Sequence, residues 1–241
     1  MNMQYSLQAI RNSLSSEKKK EDSQLAIYIH RPISYPVTYL LVNMGLSAWT
    51  VSVLSAVVAF TGCLFICMDS YSMRWVGIIL LHFWAVLDCV DGNIARVTKT
   101  QSDKGAFMDA ESGYMVCAFI YIAFGMAAYH TTITGLFRDN ALYIFVGAIA
   151  SISDVLARLI HQKYVSTVKE NSTNENTKET TLGKLRKRIS TELGIAGFVL
   201  FGSIVAQVFN LYDILILFYW IFNLLSLLAV FILYSKKAKT V

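Results

Sequence analysis

Apolar stretches of roughly 20 residues recur along this chain, and each is long enough to cross a hydrocarbon core of about 30 Å at 1.5 Å rise per residue. Six are drawn, at about 48–68, 72–96, 105–129, 139–163, 188–209 and 212–235. In lipid every backbone N–H and C=O needs an internal partner, and runs of this length with only two prolines in the whole chain favour helices over barrel strands. The predicted fold class is all-α: a polytopic membrane protein with six transmembrane helices and an N-terminal interfacial helix. Residues 1–23 read as polar and flexible or loosely helical, within a cytoplasmic extension over 1–30 that is followed by the membrane domain over 31–235 and a basic cytoplasmic tail over 236–241. The stretch LAIYIHRPISYPVTYLLVNM carries Pro32 and Pro36 and mixes aromatic with basic residues. That suits a helix lying in the interface, or a simple lead-in to the first span.

Composition agrees with this pattern. Of the 241 residues 55% are hydrophobic and 15% charged, with a mean hydropathy of +0.50, a balance that a water-soluble globule of this size would find hard to keep in solution. Eighteen Lys and Arg fall on one side of the drawn spans, while the other side holds only Arg74 and Arg138, and Arg158 lies inside a span. The positive-inside tendency therefore places both termini and the 97–104 and 164–187 loops in the cytoplasm. The net charge of +5 is accounted for by topology and anionic-lipid contact, so no nucleic-acid partner is expected. Cys63, Cys67, Cys89 and Cys117 all fall inside spans and read as small buried hydrophobes. The polar stretch VSTVKENSTNENTKETT reads as a cytoplasmic linker, and its glycosylation pattern at Asn171, Ser172 and Thr173 stands on the wrong side of the membrane to be used.

The candidate chemistry lies at the end of span two and the start of span three. In LHFWAVLDCVDGNIARVTK, Asp88 and Asp91 are three apart and project from one helix face, with Gly92 and Ala95 continuing the stripe. Like charges this close are costly in lipid unless a cation neutralises them, and oxygen-only ligands point to Mg²⁺ or Mn²⁺. Span three opens with GAFMDAESGYMV, where Gly105 and Asp109 share a face. A short loop implies an antiparallel hairpin of the two spans, which would bring Asp109 to Asp88 and Asp91. Three carboxylates could hold two divalent ions against a pyrophosphate.

These residues resemble the signature of the CDP-alcohol phosphotransferases: Asp, two residues, Asp-Gly, two residues, Ala-Arg, eight residues, Gly, three residues, Asp, three residues, Asp. Asp88, Asp91, Gly92, Ala95, Arg96, Gly105 and Asp109 match seven of the eight fixed positions. The resemblance implies an enzyme that transfers a substituted phosphate from a CDP-linked alcohol to an acceptor hydroxyl and releases CMP, in phospholipid or related glycoconjugate synthesis. It implies Asp88, Asp91 and Asp109 as the ligands of two Mg²⁺ or Mn²⁺ ions, and Gly92, Ala95 and Gly105 along the CDP pocket. Arg96 would contact the nucleotide phosphates. A homodimer with its active site facing the cytoplasm is also implied.

The eighth position is Gly113, where the family places the aspartate that serves as general base. Glu111 is the nearest substitute carboxylate, although two residues along a helix is about 200° round. Ser112 and Tyr114 are weak bases at neutral pH. Three readings stay open: a transferase using another base, an acceptor activated directly by metal, and a catalytically silent relative that still binds nucleotide or metal. A small membrane carrier using the same acids and Arg158 is a further alternative. At the start of span one, Ala48, Trp49 and Ser52 stand where the family often has Pro-Asn and Thr. In span four Asp154 and Arg158 are four apart, and either form a neutralised pair or present Arg158 to an acceptor or lipid phosphate. Lys184, Arg186, Lys187 and Arg188 read as a topology anchor first and a phosphate patch second.

Overall fold

A computed structural model describes residues 5–137, 139–169 and 188–238. Arg138, the 171–173 pattern, Lys184, Arg186, Lys187 and Lys239 lie outside the described residues. The described chain is helical and contains no strand. Among the described residues six helical stretches are long and apolar enough to cross a membrane: Ala48–Ile66, Tyr71–Val97, Asp103–Thr131, Ala141–Thr167, Arg188–Phe209 and Tyr212–Lys237. They coincide with the six expected runs to within a few residues.

In chain order, α1 (Leu7–Asn12), α2 (Ser16–Glu21) and a π-turn over Ala26–His30 lead into α3 (Arg31–Asn43). The spans follow as α4 (Ala48–Ile66), α5 (Tyr71–Val97), α6 (Asp103–Thr131) and α7 (Ala141–Tyr164). After a short helix over 188–192 (α8), a π-turn over Ile195–Val199 runs into α9 (Leu200–Phe209), and α10 (Tyr212–Ala238) closes the bundle. Helix starts are set by side-chain caps: Ser47, Ser70 and Ser102 each accept a backbone N–H from the first turn of α4, α5 and α6. Pro36 sits inside α3, where its ring removes one backbone donor without ending the helix.

The close crossings depend on glycine. α4 meets α5 at Gly62 and Gly77, where a Cβ on Gly77 would stand 2.6 Å from the Gly62 carbonyl oxygen. α6 meets α7 at Gly125 and Gly147, where a Cβ on Gly125 would stand 2.5 Å from the Tyr143 carbonyl oxygen. Without a driving force from water, such backbone approach supplies packing contacts that large side chains would prevent. α10 packs on α6 and α7, and Tyr121, Phe124, Tyr143, Tyr212 and Tyr219 fill the centre.

The expected hairpin of spans two and three takes a different form. α5 and α6 are joined by a short connection but hardly pack on each other, because α4 packs against both. Its buried positions Ser52, Ser55, Ala59, Gly62 and Cys63 are small enough to let it fill that place. All four cysteines are free, three of them buried.

The N-terminal segment also differs from the loose extension expected. Ile10 is fully buried in a cluster with Val42, Val51, Val86 and Val90, and the Tyr5 N–H donates to Asn43 Oδ1 at 3.3 Å. Residues 20–26 are tied to the start of the fifth span: Arg188 donates to the Lys20 and Asp22 carbonyls, and Ser23 donates to the Ala196 carbonyl at 2.7 Å. Leu7, Ile10 and Leu14 stand at helical spacing, but so short a run within a polar segment did not mark this docking.

Candidate functional site

Asp88, Asp91, Gly92, Ala95 and Arg96 occupy the last turns of α5, as their spacing required. Asp88 is half-buried and Asp91 is 5% exposed, whereas Asp109, on the first turns of α6, is exposed. The side chains of Asp88 and Asp109 lie within hydrogen-bonding reach of each other, and Asp91 is close enough to act on both. Two carboxylates at such a separation repel unless a proton or a cation stands between them.

The structure brings the acids into one neighbourhood without building a cage: among the described residues no three His, Cys, Asp or Glu side chains form a group that could hold a metal as they stand. The donor set nevertheless suits a hard cation, since it offers carboxylate oxygens alone. Asp91 keeps one oxygen on a protein partner, with Ser52 Oγ donating to its Oδ2 at 2.5 Å. Ser55 donates to the Ser52 carbonyl at 2.8 Å and shares a hydrogen bond with Ser112 at 3.2 Å, which links α4 to both acidic helices. Ser52 had stood out in the sequence only as a departure from a family pattern. The signal that would have found its role is the pair of small hydroxyls three residues apart in an otherwise apolar span.

Arg96 folds back along its own helix. Its Nη2 donates to Asn93 Oδ1 at 2.7 Å, and a Cβ on Gly92 would meet its Nη1 at 3.1 Å. Its Nε is buried with no hydrogen-bond partner. Asn93 donates in turn to Ser34 and Thr38 at 3.0 and 3.1 Å, so α3 is fastened to α5 beside the acids.

The N-terminal segment supplies charges that the motif did not predict. Arg31 is 7% exposed and ion-paired with Asp22, Nε to Oδ2 at 2.8 Å and Nη2 to Oδ1 at 3.2 Å. This double hydrogen bond helps hold the guanidinium charged, above the usual arginine range despite its burial. Lys18 and Arg31 both act on Asp109. Next along the chain, His30 Nε2 and His82 Nδ1 lie 3.3 Å apart, and burial beside a second imidazole pushes His30 down to about 4.

Around Gly113 the helix is regular. A Cβ built there meets nothing within 4 Å, and neither does one on Gly105 apart from Ser102 Oγ at 3.5 Å. Glu111 is exposed, and because α6 runs unbroken from Asp103 to Thr131 it stays on a different face from Asp109. Arg158 forms the i,i+4 pair with Asp154 at 3.1 Å, its side chain 42% exposed, and lies on α7. The pairing alternative is therefore the one the structure displays.

A family model described as CDP-alcohol phosphatidyltransferase matches residues 46–234. No curated protein matches the chain.

Proposed function

This chain belongs to the CDP-alcohol phosphatidyltransferase family, and from that premise we propose that it moves a substituted phosphate from a CDP-linked alcohol to an acceptor hydroxyl, releasing CMP. Membership supports phosphatidyl transfer from a CDP-alcohol in general. The finer reading is metal-dependent transfer from CDP-diacylglycerol or a soluble CDP-alcohol, by a homodimer whose acidic end faces the cytoplasm.

The observation that carries the reading is the meeting of Asp88 and Asp109 from two helices that otherwise hardly touch. Asp88, Asp91 and Asp109 would hold two Mg²⁺ or Mn²⁺ ions, and such ions when bound polarise phosphoryl oxygens and ease departure of CMP. Ser52 orients Asp91 by its short hydrogen bond. Gly105 leaves the backbone approachable for the cytidine moiety, whereas Arg96 lies over Gly92 and would move off Gly92 and Ala95 to meet the nucleotide phosphates. Arg158 is the candidate for an acceptor or lipid phosphate, should it exchange Asp154 for that anion. Glu111 could serve as a base only for an acceptor approaching from the outer face of α6.

Purified protein should release CMP from a CDP-alcohol with Mg²⁺ or Mn²⁺ and not with a chelator. A broad donor and acceptor panel yielding no metal-dependent CMP would defeat the enzyme reading. The second reading, a silent relative that binds nucleotide without turnover, draws on the open space at Gly113, and CDP binding in the absence of any transfer would select it.

A further inference from the structure

Arg31 lies outside the stretch that the family model covers, on a segment that the sequence offered only as an interfacial lead-in. A buried arginine is costly unless its donors are used. Asp22 takes Nε and Nη2, along one edge of the guanidinium, and Nη1 makes no hydrogen bond among the described residues. Arg31 also stands within electrostatic reach of Asp88 and Asp109.

The second observation is independent of the first. Arg96 is within electrostatic reach of Arg31, and its buried Nε has no partner. Both guanidiniums are fixed in place, one by Asp22 and the other by Asn93, whose own amide is bonded to the helix that begins at Arg31. Two positive groups held together repel, and the arrangement becomes favourable when an anion carrying more than one charge lies between them. Asp22 offsets part of that repulsion, since it pairs with Arg31 and also acts on Arg96, but its carboxylate is spent on one edge of Arg31 and leaves the buried Nε of Arg96 without a partner.

We propose that Arg31, oriented by Asp22, contacts the diphosphate of the CDP-linked donor opposite Arg96. The proposal rests on the functional reading above and adds to it a phosphate contact from the N-terminal segment. Asp22 is then a positioning residue: it uses one edge of the guanidinium and aims the other. A planar fork with a free edge matches a phosphate better than the point charge of a lysine does.

The test uses the full chain in detergent with Mg²⁺ present, reading CDP affinity by calorimetry and CMP release by steady-state kinetics. Arg31→Gln should weaken CDP binding on the order of 10- to 100-fold, with a matching rise in the donor KM and no change in the acceptor KM. Asp22→Asn, which keeps the positive charge and loses its orientation, should weaken CDP binding by several-fold. A folded Arg31→Gln protein that binds CDP within about twofold of the wild type would overturn the proposal, including where its thermal stability falls. If Arg31→Gln fails to fold, Arg31→Lys decides: at least about fivefold weaker CDP binding supports the contact, and unchanged binding rejects it. Wild-type protein that neither binds CDP nor releases CMP would instead remove the functional reading itself, an outcome distinct from a wild type that binds CDP while the variants bind it equally well.

Discussion

Replacing Gly113 by aspartate is the most direct examination of the altered motif. Gly113 lies one helical turn beyond Asp109 on the same face of α6, is half-buried, and has no atom within 4 Å of the position its Cβ would take. The substitution therefore meets no steric obstacle, and aspartate is no worse than glycine as a helix residue, with a difference of a few tenths of a kcal/mol in its favour. A positioned general base is worth about 10² to 10⁴ in rate, or roughly 3 to 5 kcal/mol of barrier. If the wild-type site lacks such a base, Gly113→Asp should raise kcat toward that range, with the donor KM little changed. Gly113→Asn is the control, equal in size and unable to take the proton. The assay is CMP release at saturating donor and acceptor, with melting temperature confirming that both variants fold. A folded Gly113→Asp protein no faster than Gly113→Asn would refute the reasoning, because proton removal would then be supplied elsewhere or not limit the rate.

Asp91→Asn should abolish metal-dependent CMP release while leaving the fold intact, and retention of a tenth or more of the activity would speak against Asp91 as a ligand. Ser52→Ala removes the hydrogen bond to Asp91, a loss of about 1 to 3 kcal/mol for a buried ionic partner, so the Mg²⁺ needed for half-maximal activity should rise several-fold with the maximum largely recovered at high Mg²⁺. Gly125→Leu would drive a side chain into the Tyr143 carbonyl and should lower stability by at least about 1 to 3 kcal/mol, read as a fall in melting temperature in detergent. His30 titrates at about 4 in the folded chain and about 6.5 when exposed, so its neutral form favours folding above pH 6.5 and that contribution fades as pH falls toward 4. The full loss is about 3 kcal/mol, and His30→Gln should flatten the acid limb of the melting curve between those values.

The span pattern was legible because lipid imposes it: long apolar runs need no partner to be recognised, and the α5 acids declare themselves by their cost in that setting. The proximity of Asp109 to Asp88 was legible too, through spacing and a short connection. The route to it was not. Helix neighbours in a bundle are chosen by which surfaces are small enough to approach, and the short loop between α5 and α6 said nothing of α4 packing against both. Likewise, Lys18, Asp22 and Arg31 sit in a segment whose polar composition reads as solvated. Only coordinates show that Ile10 anchors it and that Arg188 and Glu192 hold its backbone.

The placement of α4 explains why the acidic residues converge without closing up. Where α4 crosses α5 at Gly62 and Gly77 the backbones nearly touch, which fixes α5 against α4 in the interior of the bundle. Toward the acidic end the buried α4 residues become Ser55, Ser52 and Val51, and the serine hydroxyls reach Ser112 on α6 and Asp91 on α5. α4 thus acts as a spacer whose polar end binds both neighbours, and direct α5 to α6 packing is not needed to hold the carboxylates near one another. Asp109 stays exposed while Asp91 is buried, so the acidic neighbourhood meets solvent at its α6 member. Lys18 and Arg31 stand within electrostatic reach of Asp109, so the N-terminal segment that Ile10 and Arg188 hold in place brings positive charge to the exposed member of the cluster.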